Sequence, residues 1–306
     1  MRALLPLLAL TLACQGETAP PREFDGATAY RYLEQQVGVG YRIPGSAGHE
    51  RTAQWLDSLL HARADTVVVQ AWSHVTAKGD TLPLRNFRAR FQPAAPTRVL
   101  FLAHWDTRPM SDNDTYRGDR TRAVPGANDG ASGVAVLLGM ADALKARAPG
   151  IGVDLLFVDG EDFGDFAKEP NDVLIGSRHY ARNQPEGPRP QWAVLFDMIG
   201  DRDLQVKQEG NSLLAAADVV KRVWDVAKLL GYDSVFVNKP GLTITDDHVE
   251  LQKAGIKAID VVDFDYGPGH AWWHTPEDTL GKVSDRSLQV IGDVGMALIR
   301  LQKPQP

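Results

Sequence analysis

Cysteine is all but missing from this chain, which carries one, Cys14, in 306 residues. That excludes an internal disulfide and a cysteine-ligated zinc cluster, so any bound metal must be held by histidine, aspartate and glutamate. A basic surplus is missing too. Lysine and arginine number 33 against 39 acidic residues, a formal net charge of −6, which makes nucleic acid a poor partner. There is no internal repeat, no Gly/Ser/Pro-rich linker beyond the N-terminal region, and no phosphate-loop lysine after Gly130 and Gly133. With 43% hydrophobic residues the chain is neither disordered nor of low complexity, and it can bury a sizeable core.

The N-terminal segment has a character of its own. Arg2 precedes an apolar run at 4–13, too short to span a bilayer but of signal-peptide length. Cys14 ends that run, and the pattern resembles a bacterial lipoprotein signal, whose cysteine becomes the lipidated first residue; the alternative is an ordinary secretory signal. Residues 15–22, with Pro20 and Pro21, then read as a tether. The expected organisation is therefore a signal and tether over 1–22 and one catalytic domain over 23–306. The expected protein is exported, periplasmic or held at the outer membrane, with a lipid on Cys14 as its membrane contact.

Within the domain, residues 27–36 and 45–62 read as helices, the second with Trp55, Leu56, Leu59 and Leu60 on one face. Residues 66–72 and 82–91 read as strands of a hairpin around Lys78-Gly79-Asp80. Short continuous apolar runs at 98–103, 153–158, 192–196 and 258–262 suit strands buried on both faces. Helical spacing separates them, with Val134, Leu137, Leu138, Ala141 and Leu144 in 131–147, and Val219, Val220, Val223 and Trp224 in 215–230. Ser284 caps a last helix through Leu288, Ile291 and Leu298. This alternation predicts an α/β fold: a three-layer α/β/α sandwich around a mixed, mainly parallel central sheet.

In such sheets ligands bind beyond the carboxyl ends of the strands, and here those ends carry acids or histidine. His104-Trp105-Asp106 follows the first buried run, Asp159-Gly160-Glu161-Asp162 the second, and Asp197 ends the third. Gly126-Ala127-Asn128-Asp129-Gly130 precedes a helix, and Trp272-Trp273-His274 lies near the C-terminus. One aspartate after a strand is ordinarily a turn or cap residue. Several carboxylates on one edge repel one another unless a cation lies among them, and carboxylate with imidazole suits zinc or a similar divalent ion. Glu161 and Asp162 are adjacent and point in different directions, so one can hold metal while the other moves protons.

The segments AHWDT, GANDGASG, FVDGEDFG, GSRHYAR, FDMIG, TDDH and WWHT together resemble the zinc-dependent peptidases of the M28 aminopeptidase type, and within them the bacterial glutaminyl-peptide cyclotransferases. The resemblance implies that Asp129, Asp162 and His274 bind zinc and that Glu161 is the general acid/base. It implies that Asp197 and His104 complete a second zinc site in the aminopeptidases, whereas in cyclases one zinc is usual and Asp197 joins a hydrogen-bond network beside Glu161. Asp246 matches a carboxylate that contacts substrate and Trp273 an aromatic of the pocket wall. Asp162 replaces the glutamate usual in animal cyclases, and Asp260 stands where those enzymes have a histidine.

Phe163 and Phe166 are further candidates for lining the pocket, Asp106 for orienting His104, and His248 and His270 for the surroundings of the site; His179 reads as structural. The expected activity is conversion of an N-terminal glutamine of peptides or proteins to pyroglutamate, with ammonia released and one zinc per chain. The rival readings are a di-zinc aminopeptidase and a catalytically silent, lipid-anchored binding protein.

Overall fold

The computed structural model describes residues 18–113, 115–184 and 186–304; Cys14 and the lipoprotein-type signal lie outside them. The expected hairpin is present as β1 (Thr66–Val75) and β2 (Thr81–Phe91), antiparallel from Thr66 opposite Arg90 to Val75 opposite Thr81. The four continuous apolar runs become β3 (Arg98–His104), β4 (Gly152–Val158), β5 (Ala193–Asp197) and β8 (Ala258–Val262). The sheet order is β1-β2-β4-β3-β5-β8. β2 pairs antiparallel with β4, and the remaining pairings are parallel. The sheet is thus mixed and mainly parallel, and its four parallel strands end on one edge.

Alternation along the strands separates two cores. Val99, Phe101 and Ala103 of β3 join Val153, Leu155, Phe157, Val194 and Phe196 on one face. Leu100 and Leu102 join Leu156, Val158 and Leu195 on the other. The first face is covered by α1 (Gly26–Val39), α2 (Ala47–His61), α3 (Ala131–Ala146), α5 (Gly210–Leu229) and α7 (Asp285–Leu301). The second face is covered by α4 (Ile175–Arg182) and α6 (Asp247–Lys253), which give Tyr180 and Leu251 to that core. Asp25, Ser46 and Ser284 cap α1, α2 and α7 through their side chains. Among the described residues no helix is long and apolar enough to cross a membrane.

Two features differ from the sequence reading. α5 begins five residues before the apolar periodicity, with Glu209 accepting from the backbone N–H of Asn211 and Ser212 at 2.8 and 2.6 Å. Ala216 has non-helical dihedrals inside it, so the regular spacing starts only beyond that kink. A second small sheet pairs β6 (Val206–Gln208) with β7 (Phe236–Pro240) in parallel. Three residues are too few to show a period of two.

α3 needs close approach to the sheet. A Cβ at Gly133 would stand 2.1 Å from the carbonyl oxygen of Phe196. Glycine there brings the helix onto β5 and with it the loop that carries Asp129.

Candidate active site

Each parallel strand delivers its chemistry at its carboxyl end. β3 ends in His104, β4 runs on to Glu161 and Asp162, and β5 ends in Asp197. Asp129 comes from the turn before α3, Asp246 caps α6, and the segment beyond β8 supplies Trp273 and His274. His104, Asp129, Glu161, Asp162, Asp246 and His274 are all buried. Gly130 has φ +86, and a Cβ there would meet the His104 ring at 2.9 Å, so the turn presenting Asp129 depends on glycine. Met198 and His274, at φ 47 and 51, hold left-handed backbone without being glycine, strain of a kind that concentrates at functional sites.

The side chains fall into two groups that share Asp129. In one, His274 Nε2 lies 3.3 Å from Asp162 Oδ1 and 3.7 Å from Asp129 Oδ2. In the other, His104 Nε2 lies 3.1 Å from Asp129 Oδ1 and 3.2 Å from Asp197 Oδ1. Within each trio the potential ligand atoms lie within 4.8 Å of one another. Donors held 2.0–2.2 Å from a tetrahedral zinc stand about 3.3–3.6 Å apart. In the His274 trio the two imidazole–carboxylate separations, 3.3 and 3.7 Å, are close to that spacing, and the donor set suits zinc. The His104 trio is slightly tighter, and its His104–Asp197 contact is already a hydrogen bond.

A surrounding set of contacts fixes these groups, and most of it was not foreseen from sequence. Asp112 Oδ1 accepts from His274 Nδ1 at 3.0 Å, an arrangement that sets the tautomer and leaves Nε2 free for a ligand bond. Arg108 donates to both oxygens of Asp112, at 2.7 and 2.5 Å, and to Asp162 Oδ1 at 2.5 Å. Asn113 Nδ2 holds the carbonyls of Trp273 and His270 at 3.0 and 3.1 Å. Asp278 accepts from the backbone N–H of Asn128 and Asp129. Arg108, Asp112 and Asn113 lie between 105 and 130, where no described residue is helix or strand. A loop of that length inside a compact domain is itself a functional signal.

Burial pushes the Glu161 carboxyl well above the usual carboxylate range; His104 opposes this, and Asp162, Asp246 and Asp247 add to it. Asp246 is raised well above its ordinary value by burial and then by Asp197 and Asp247. Asp129 is raised by burial and Asp162. For Asp162, burial is outweighed by Arg108 and His274, and the carboxyl falls below its ordinary value. For His104, burial is outweighed by Asp106, Asp129 and Asp197, and the imidazole is raised well above its ordinary value. The site therefore contains one carboxylate held charged, Asp162, beside another that readily carries a proton, Glu161.

The cleft above these groups is narrow, about 40 Å³, and its walls include Phe166, Ile244, Phe264 and Trp273. Trp273 stacks on His274 with ring centroids 3.6 Å apart, and Phe264 lies 5.3 Å from Trp273. Phe166 lines the cleft. Phe163 instead packs against the small cluster of Leu82, Leu84 and Ile175, because the chain turns directly after Asp162.

Two further expectations are corrected. Asp106 Oδ1 lies 3.5 Å from His104 Nδ1, too long for a good hydrogen bond. Its oxygens accept the backbone N–H of Glu161 and Asp162, both at 3.1 Å, so it hydrogen-bonds the acid pair and meets the imidazole only at ion-pair distance. Asp197 bonds to His104 rather than to Glu161. His248 is fully buried, 3.2 Å from Glu209, and His179 stacks on Trp72 away from the cleft.

Known proteins share this fold. The glutaminyl cyclase of Bacteroides thetaiotaomicron, solved bound to N-acetylhistamine, is 33% identical with a TM-score of 0.88, covering 94% of this chain and all of that one. A Zn-dependent exopeptidase from Parabacteroides distasonis is also 33% identical, with a TM-score of 0.87, covering 93% of this chain and all of that one. Aminopeptidase YwaD of Bacillus subtilis is 28% identical over 212 residues, 67% of this chain; the match spans only 41% of the aminopeptidase's length. Residues 86–299, which hold every group of the cleft, match the peptidase family M28, and the chain belongs to that family.

Proposed function

We propose that this protein is a zinc-dependent glutaminyl-peptide cyclotransferase, converting the N-terminal glutamine of peptides and proteins to pyroglutamate with release of ammonia. The observation that carries the reading is the size and lining of the cleft. The cleft is narrow and walled by Trp273, Phe264 and Ile244, surfaces that suit the methylenes of one short side chain. Glu161, Asp197 and Asp246 also border that gap.

In the reaction the α-amine nitrogen forms a bond to the side-chain amide carbon. The bond from that carbon to its own nitrogen breaks, and ammonia leaves. Zinc held by Asp129, Asp162 and His274 would supply Lewis acidity toward the amide oxygen. Glu161 accepts a proton from the attacking amine and returns one to the departing nitrogen, a task suited to a carboxyl raised by burial. Asp246 holds the amine, and Trp273 keeps the side chain folded toward it. The attack is intramolecular, so positioning supplies much of the acceleration.

One observation favours a second reading. His104, Asp129 and Asp197 form a second trio, as a di-zinc aminopeptidase would require. Glutaminyl and leucyl peptides incubated with the enzyme and followed by mass spectrometry, with zinc counted per chain, separate the two. Pyroglutamyl product with about one zinc is expected. Free leucine with two zincs overturns the cyclase.

A further inference from the structure

The cleft is far smaller than the roughly 300–1,000 Å³ of ordinary ligand sites, so a peptide substrate must continue outside it. A groove of about 290 Å³ adjoins it and shares Ile244, Val262 and Phe264 as common walls. We propose that this groove is the subsite for the residue that follows the substrate's N-terminal residue, and that it selects an uncharged, apolar side chain there. The proposal rests on the cyclase reading for the identity of the first residue.

The lining carries the argument. Leu242 is 60% exposed and stands between Pro240 and Ile244 on the groove wall. An apolar side chain laid there would cover Leu242, Ile244 and Phe264 together. Of the three charged residues that line the groove, Lys207 and Asp265 are ion-paired with each other, and Glu209 is buried with its oxygens taken by the N–H groups of Asn211, Ser212 and Ile244. The groove therefore offers no free counter-charge to an acidic or basic residue, and seating one would cost the desolvation of that charge.

The wall is also fixed in advance. Gly241 N–H donates to Gln208 O at 2.7 Å and Gly210 N–H to Leu242 O at 2.9 Å. Ile244 N–H donates to Glu209 Oε1 at 2.8 Å. A wall tied at three points loses little freedom when a ligand covers it.

The test compares two peptides, Gln-Phe-Ala and Gln-Glu-Ala, by the rate at which pyroglutamyl product appears. The wild type is expected to favour the phenylalanyl peptide in kcat/KM by about tenfold, the scale of burying one apolar side chain. Leu242→Ser, which removes the apolar wall without adding a charge, is expected to remove most of that preference. Leu214→Ser, at a position 85% exposed on α5, is expected to keep it. Cyclisation of both peptides with the preference intact in Leu242→Ser overturns the subsite and leaves the cyclase standing. If neither peptide is cyclised, the reaction assignment falls, and the affinities of the same two peptides by titration calorimetry judge the groove alone. Equal affinities would then overturn it.

Discussion

Replacing Asp112 by alanine removes one carboxylate and two supports of the trio proposed to hold zinc. His274 Nδ1 loses its acceptor at 3.0 Å, which lowers the basicity of the imidazole and frees the ring to turn. Arg108 loses the carboxylate it grips at 2.7 and 2.5 Å and keeps its contacts with Asp162, so it draws harder on a second ligand. Both changes weaken zinc. Outer partners of this kind cost about 10–100-fold in metal affinity, about 1.4–2.8 kcal/mol. Asparagine keeps an acceptor oxygen without the charge, and a charge-assisted bond is about twice as strong as a neutral one, so Asp112→Asn should lose about half that free energy.

The assay is competition for zinc against a chromogenic chelator, with thermal unfolding as the control for folding. The Asp112 side chain is 24% exposed, so its loss opens no core cavity. A pH series adds a sign. Burial, which lowers a histidine, is outweighed at His274 by Asp162 and Asp112, and the imidazole is raised. Protons therefore compete with zinc as pH falls. Without Asp112 that competition begins at lower pH, even though zinc binds more weakly at high pH. A zinc dissociation constant unchanged in Asp112→Ala would refute the reasoning.

Three other outcomes follow from the same geometry. Glu161→Gln should retain zinc while turnover drops about 10²–10⁴-fold; near-normal turnover would assign the proton to another group. Gly133→Ala should destabilise the fold by about 1–3 kcal/mol, because the new methyl would meet the Phe196 carbonyl at 2.1 Å; an unchanged melting temperature would disprove that contact. Burial pushes Asp263 from its ordinary 3.8 to about 6, so the folded protein binds that proton more tightly and loses stability as pH rises through this window. Asp263→Asn cannot titrate, so its stability relative to wild type should rise by up to about 3 kcal/mol between pH 4 and 7; a flat difference across that range would contradict it.

Most of the sheet was readable because strands buried on both faces are written as unbroken apolar runs. The strand-end acids were readable for a related reason: Asp197 ends such a run and Glu161 and Asp162 follow another within four residues, and charges clustered there need a purpose. Arg108, Asp112 and Asn113 carry no such mark. They sit in a loop without period, and their partners, Asp162, His274 and the Trp273 carbonyl, are distant in sequence, so folding alone brings them together. Side-chain direction was equally hidden. Nothing local says that Phe163 turns toward Leu84 while Phe166 lines the cleft, or that Asp106 gives its hydrogen bonds to backbone N–H groups rather than to the His104 ring 3.5 Å away. β6 and β7 are too short to carry a pattern, yet they build the groove beside the cleft.

The stretch from 105 to 130 has a consequence of its own. It forms no helix or strand among its described residues; beside cross-loop bonds such as Ser111 N–H to Arg120 O and Val124 N–H to Arg108 O, it is tied to the site through Asp112 on His274 and Asn113 on the Trp273 and His270 carbonyls. Loosening His274 therefore loosens the part of this strap around Asp112 and Asn113, and the two are coupled. Occupancy of the site is then legible from outside, in how readily a protease nicks the strap or how fast its amides exchange with deuterated water. The loop acts as a gauge of the centre it surrounds, and it reports loading without any substrate being turned over.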